Sequence, residues 1–157
     1  MKADIVFFSR TGNTRVVGEE ISRLLSKDLE VNLIEIKSKK HYSYFIWLVL
    51  SFLPNCGVKI IMDEEITSDL LFICFPKWTI NCPPITAFLN QVNLTEKMVY
   101  LVITYGGFDE KRYAAYYKKR IKKLCKEVKG VLLVKRSEIK TKNLGGIKNW
   151  IERALNI

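Results

Sequence analysis

Histidine occurs once in this chain, at His41, and cysteine four times, at Cys56, Cys74, Cys82 and Cys125. No two cysteines have the CxxC spacing. A zinc centre needs clustered Cys and His donors, and a disulfide scaffold needs denser cysteines, so neither is expected. Reduced thiols in a cytoplasmic setting are the simple reading, and His41, inside the polar stretch SKKHYS, reads as a solvated loop residue. No apolar run approaches the ~20 residues that span a bilayer as a helix. The chain enters a strand-like run at MKADIVFF, so no leader sequence is expected. Two nucleotide signatures are missing as well. There is no Gly-Lys-Ser/Thr ending to hold the terminal phosphates of a nucleoside triphosphate, and no GxGxxG dinucleotide turn. No residue stands out as a catalytic acid, base or nucleophile.

Ordinary globular material remains. Of 157 residues, 48% are apolar and 27% charged, enough for one domain, 1–157, with a core of its own. Strand-like runs read ADIVFF, VNLIEI, LLFICF, MVYLVI and VLLVKR. The first, third and fourth are almost continuously apolar, as for central parallel strands covered on both faces. Between them lie helical patterns. Val17, Ile21, Leu24 and Leu25 share one face of the first, with Glu19, Glu20 and Arg23 elsewhere. A stretch from Asp109 to Lys129 aligns Tyr117, Ile121, Leu124 and Val128, and a last helix near Ile147–Leu155 follows Gly145-Gly146. Strands alternating with helices predict an α/β fold with an open, doubly wound parallel sheet.

The formal net charge of +10 is uneven. Residues 1–110 carry 11 Lys/Arg and 13 Asp/Glu, whereas residues 111–157 carry 15 and 3. The basic 111–129 segment is either a solvated helix face or a dock for acidic partner proteins. Its tyrosines fall on the core-facing side at helical spacing, which argues against nucleic acid.

Ligands of such sheets sit beyond the carboxyl ends of the strands, where the strand order reverses. The loops there read SRTGNT, PKWTINCPP and TYGGFDE. SRTGNT opens the first helix straight after a buried strand. A helix start presents unpaired N–H groups and partial positive charge, and Ser9, Thr11 and Thr14 add three hydroxyls. Gly12 allows close backbone approach, and Asn13 tolerates the dihedrals of a tight turn. Helix capping alone would explain one or two of these residues. All of them together suit a terminal phosphate held mostly by neutral donors.

This loop closely resembles the [ST]-x-T-G-x-T phosphate loop of flavodoxins, which bind FMN. FPKWTINCPPITAFL resembles that family's second FMN loop, and TYGGFDE the third. The likeness spans essentially the full chain. It implies a flavodoxin-like three-layer α/β/α fold with a five-stranded parallel sheet in the order 2-1-3-4-5. It also implies that Ser9, Arg10, Thr11, Gly12, Asn13 and Thr14 hold the FMN phosphate. From the second loop, Pro76, Lys77, Trp78 and Thr79 would flank the ring, with Trp78 stacking on it. Thr104, Tyr105, Gly106, Gly107 and Phe108 would contribute from the third, with Tyr105 as its candidate aromatic. Lys77 stands where flavodoxins usually place acids, which predicts a less strongly reducing flavin.

The resemblance favours an FMN-binding electron carrier, serving redox partner proteins, over a turnover enzyme. An FMN-dependent NAD(P)H or quinone oxidoreductase, with a pocket roofed by Tyr44–Leu53, is the alternative, and a flavin-free interaction domain is a third. The stretch YFIWLVLSFL, Tyr44 to Leu53, spans only ~15 Å as a helix and cannot cross a membrane. Either it is buried under the following linker, or its spare apolar face meets a second subunit, a redox partner or a membrane surface, the last helped by Lys37, Lys39 and Lys40.

Overall fold

The computed structural model of the chain describes residues 1–156. β1 (Lys2–Phe7) leads into α1 (Asn13–Leu25), β2 (Glu30–Ser38) and α2 (Tyr44–Phe52). After them come β3 (Ile60–Met62), β4 (Leu70–Pro76), α3 (Pro83–Gln91) and β5 (Met98–Tyr105). The chain closes with α4 (Glu110–Lys122), β6 (Glu127–Lys135), α5 (Arg136–Lys140) and α6 (Gly145–Leu155).

The sheet runs β3-β2-β1-β4-β5-β6. Five strands are parallel, and counted among themselves they follow the expected order 2-1-3-4-5. The three central ones, β1, β4 and β5, are the three continuously apolar runs, buried along almost their whole length. A sixth strand corrects the expected count of five. Ile60–Met62 pairs antiparallel with Ile36–Ser38 at the edge of the sheet. Three residues inside a mixed linker carry no period of their own, so register against β2 alone makes them a strand.

Helices cover both faces. On one side α1, α5 and α6 bury Val17, Ile21, Leu24, Leu25, Ile139, Ile147 and Ile151 against Ile5, Phe7, Phe72 and Val102. On the other, α3 and α4 bury Ile85, Phe88, Tyr113, Tyr117 and Ile121 against Ile34, Ile73, Phe75 and Leu101. α3 starts on Pro83-Pro84, where a missing N–H costs nothing and the fixed φ favours the first turn.

The basic helix is shorter than the segment 111–129. It stops at Lys122, and Glu127–Lys129 already belong to β6. Leu124, at helical spacing from Ile121, is exposed, and Val128 sits in the strand. A bulge hides this strand start: Val99 faces Val128 but Tyr100 faces Gly130, leaving Lys129 unopposed. Gly130 fits closely there: a Cβ would lie 3.3 Å from ring atoms of both Trp150 and Tyr100, which would have to give by a few tenths of an ångström.

Asp4 is a fully buried carboxylate inside β1. It accepts hydrogen bonds from the Thr67 and Ser68 amides at 2.7 Å each, and from Asn32 Nδ2 at 2.9 Å. It therefore pins the approach to β4 beneath the sheet. Asp4→Ala strands three donors, and we expect a loss of about 3 kcal/mol of unfolding free energy, read from urea denaturation.

Candidate functional site

The carboxyl ends of the parallel strands converge on one cavity of about 330 Å³, within the size range of small-molecule sites. Its floor is the turn between β1 and α1, contributing Ser9, Arg10, Thr11, Asn13 and Thr14. Gly12 holds φ at +93°, a left-handed value that lets the chain turn straight into the helix, with open space where a side chain would start. Helical hydrogen bonding begins only with the Val16 amide donating to the Gly12 carbonyl at 3.1 Å. No side chain caps the helix. Ser9 Oγ instead accepts from the Gly12 amide at 3.1 Å, and Asn13 Nδ2 donates to Thr11 Oγ1 at 3.2 Å. Ser9, Thr11 and Asn13 are thus engaged within the turn, and the amides of Asn13, Thr14 and Arg15 have no acceptor among the described residues. This is the electrostatics of an anion seat.

The second loop forms a wall with Pro76, Lys77, Trp78 and Thr79. Its backbone is held from several sides. The Lys77 amide donates to the Thr104 carbonyl at 2.7 Å, and those of Ile80 and Asn81 to the Ser51 carbonyl at 3.1 and 2.9 Å. The Cys82 amide donates to Tyr117 Oη at 2.8 Å. Burial pushes the Tyr117 phenol above its ordinary pKa, so it stays a neutral partner. Lys77 Nζ donates to the Trp78 carbonyl at 3.3 Å and lies 5.7 Å from the Phe108 ring and 5.8 Å from that of Tyr113.

Thr104 is the one residue of the third loop on the wall. Its hydroxyl lies 2.8 Å from that of Thr14, tying the first turn of α1 to the end of β5. Tyr105, Gly106, Gly107 and Phe108 do not line the cavity, and Phe108 is 80% exposed. Gly12 shapes the floor without lining it.

Sequence reasoning offered Tyr44–Leu53 as a pocket roof only under the oxidoreductase alternative, and it missed one charge. α2 supplies a wall through Tyr44, Trp47, Leu48 and Ser51. Trp47 packs edge-on against Trp78 at 5.3 Å and against Tyr42 at 4.9 Å, and Phe8 packs against Trp78 at 5.6 Å. Ser51 Oγ lies 2.7 Å from Thr79 Oγ1. The charge is Arg136, just past the carboxyl end of β6. The Lys135-Arg136 pair at the end of the last strand was the available signal. All charged residues on the wall, Arg10, Lys77 and Arg136, are cationic. Asp109, the acid of the third loop, is off the wall and paired to Arg112.

No known family profile matches the chain. An uncharacterized protein from Archaeoglobus fulgidus is 41% identical over 152 residues, covering 95% of this chain and 98% of the other. The crystal structure of a candidate flavoprotein from Bacteroides eggerthii DSM 20697 matches at TM-score 0.71 and 23% identity, over 93% of this chain and 97% of that one. A flavodoxin from the domain Archaea matches at TM-score 0.57 and 18% identity, over 98% and 99%. At these identities the solved structures establish the architecture.

Proposed function

Because the chain belongs to one family with the Archaeoglobus fulgidus protein and has the flavodoxin-like fold, we propose that it binds FMN and carries electrons between redox partner proteins. One observation carries the reading. The first helix begins uncapped, with free amides and a ring of hydroxyls, in a cavity walled on another side by Trp78.

The residues present fit the cofactor. The amides of Asn13 and Thr14, with the hydroxyls of Ser9 and Thr11, suit a phosphate monoester, which wants many donors and no metal. Arg10 and Arg136 add positive charge that FMN's phosphate dianion would neutralise. Trp78 offers an indole to a flat ring and is itself braced edge-on by Trp47 and Phe8. Bound FMN would supply the electron-accepting ring; the protein's part is to seat it, shield it and set its charge environment. The four free thiols fit a cytoplasmic setting, and the basic face of α4 (Lys111, Lys118, Lys119 and Lys122) would meet acidic partner proteins.

A second reading has its own support. α2 forms a wall of the cavity, as an FMN-dependent NAD(P)H or quinone oxidoreductase with a roofed pocket would need. Steady-state oxidation of NAD(P)H by a quinone separates the two: a carrier shows only a trace of turnover, and sustained turnover selects the enzyme.

FMN titration of the purified protein, followed by its visible spectrum, tests the seat. Thr11→Val should weaken FMN by roughly tenfold and leave riboflavin, which lacks the phosphate, nearly unchanged. Equal weakening of both ligands removes the loop from the proposal. Lys77 generates a further expectation. A cation beside the ring stabilises its anionic reduced form and raises the midpoint potential, so Lys77→Glu should lower it by on the order of tens of millivolts in a redox titration. An unchanged potential would dismiss the lysine.

A further inference from the structure

α2 differs from the other helices in what it rests on. Its inner side is used up by the loops around the cavity, through Trp47, Ser51 and the cation–π contact of Arg10 with Tyr44 at 5.1 Å. The helix is not buried under the linker that follows it. Tyr44, Phe45, Ile46, Val49, Phe52 and Leu53 are all exposed, Phe45 by 71%. Among the described residues, half of the exposed large hydrophobic ones thus stand on ten consecutive positions. Such a patch on a soluble surface needs a partner.

The surroundings say which kind. The sequence of α2, YFIWLVLSF, has no charged and no amide side chain to fix the register of a protein partner. Its rim is basic: Lys39 and Lys40 lie just before it, and Lys59 is held beside Lys39 by the 2.8 Å bond between the Lys39 amide and the Lys59 carbonyl. At the other end Arg120 of α4 donates to Asn55 Oδ1 at 3.1 Å, so the lysine-rich helix adjoins the patch. Lys37 is already paired, to Asp63 at 3.3 Å and Glu35 at 3.6 Å, while Glu64 and Glu65 follow β3, which runs antiparallel to β2 and so leads away from this edge.

We propose that α2 is an interfacial membrane anchor, its apolar face sunk among the acyl chains of an anionic bilayer and its basic rim on the headgroups. A fluid apolar layer asks for area, not register, and anionic lipid complements the lysines. The nine residues of α2 are far too few to cross the bilayer, so the helix lies in the surface plane. The cavity walled by α2 then opens beside the membrane. This membrane contact does not depend on which cofactor the cavity holds.

Co-sedimentation of the full chain with vesicles is the test, using phosphatidylcholine mixed with phosphatidylglycerol against phosphatidylcholine alone. Binding to the mixed vesicles, weakened by salt and by omission of the anionic lipid, is expected. Removing each exposed ring in Phe45→Ser/Phe52→Ser should cut partitioning roughly tenfold. Each reversal in Lys39→Glu/Lys40→Glu should cost severalfold. Circular dichroism of both variants should match the parent, since all four side chains are exposed and none belongs to the core. No binding to the mixed vesicles at low salt, or binding that ignores the phenylalanines, overturns the proposal. So does a lipid-free dimer, seen by sedimentation velocity, that the phenylalanine variant dissociates, for the face would then belong to a second copy.

Discussion

Five parallel strands discharge their carboxyl ends at a single edge, and the loops leaving that edge must place backbone groups that no longer have a ladder to join. The turn after β1 meets this constraint in an unusual way. Its own hydroxyl and amide side chains pair locally, Ser9 with the Gly12 amide and Asn13 with Thr11. The first amides of α1 are therefore left pointing outward, at the positive end of a 13-residue helix. Everything else at the edge is built around that turn. The Thr14–Thr104 hydroxyl pair fastens it to β5, and the Lys77 amide fastens β5 to the second loop.

α3 is the reason α2 can leave the sheet. With Ile85, Phe88 and Leu89 buried in the core, α3 covers the face that a helix after β2 would otherwise occupy. α2 is then free to sit over the loops as the fourth side of the cavity. Its few polar groups are spent on the joint: the Ser51 hydroxyl and carbonyl engage Thr79, Ile80 and Asn81. The remaining surface is apolar and faces outward, a composition that a sheet-covering helix with one wet face would not show.

Charge follows the same geometry. The +12 balance of residues 111–157 is dispersed over α4, β6 and the helices after it, and only Arg136 of that segment reaches the cavity. Arg10 and Lys77 meet it there from two other loops. Acids that are near in sequence are held by local partners, Asp109 by the Arg112 guanidinium and Glu138 by the Lys135 amide. Cations on the wall with no acid beside them give the site a positive potential, which favours anions.

Much of the architecture was legible residue by residue. Buried central strands announce themselves as unbroken apolar runs, the face of α1 by its spacing, and the turn SRTGNT by a density of donors that capping does not require. These are local properties, governed by neighbours within a few residues. β3, the bulge at Lys129 and the early end of α4 were not legible, because each depends on register against a strand far away in the chain. The same holds for the site. Ten of its wall residues stand in the three loops that the alternation of strands and helices picks out. The placement of Trp47 and Arg136 there, the withdrawal of Tyr105 to Phe108 and the outward turn of α2 were decided only when distant segments competed for one edge of the sheet. Periodicity says which residues must be covered; only the packed chain says by what.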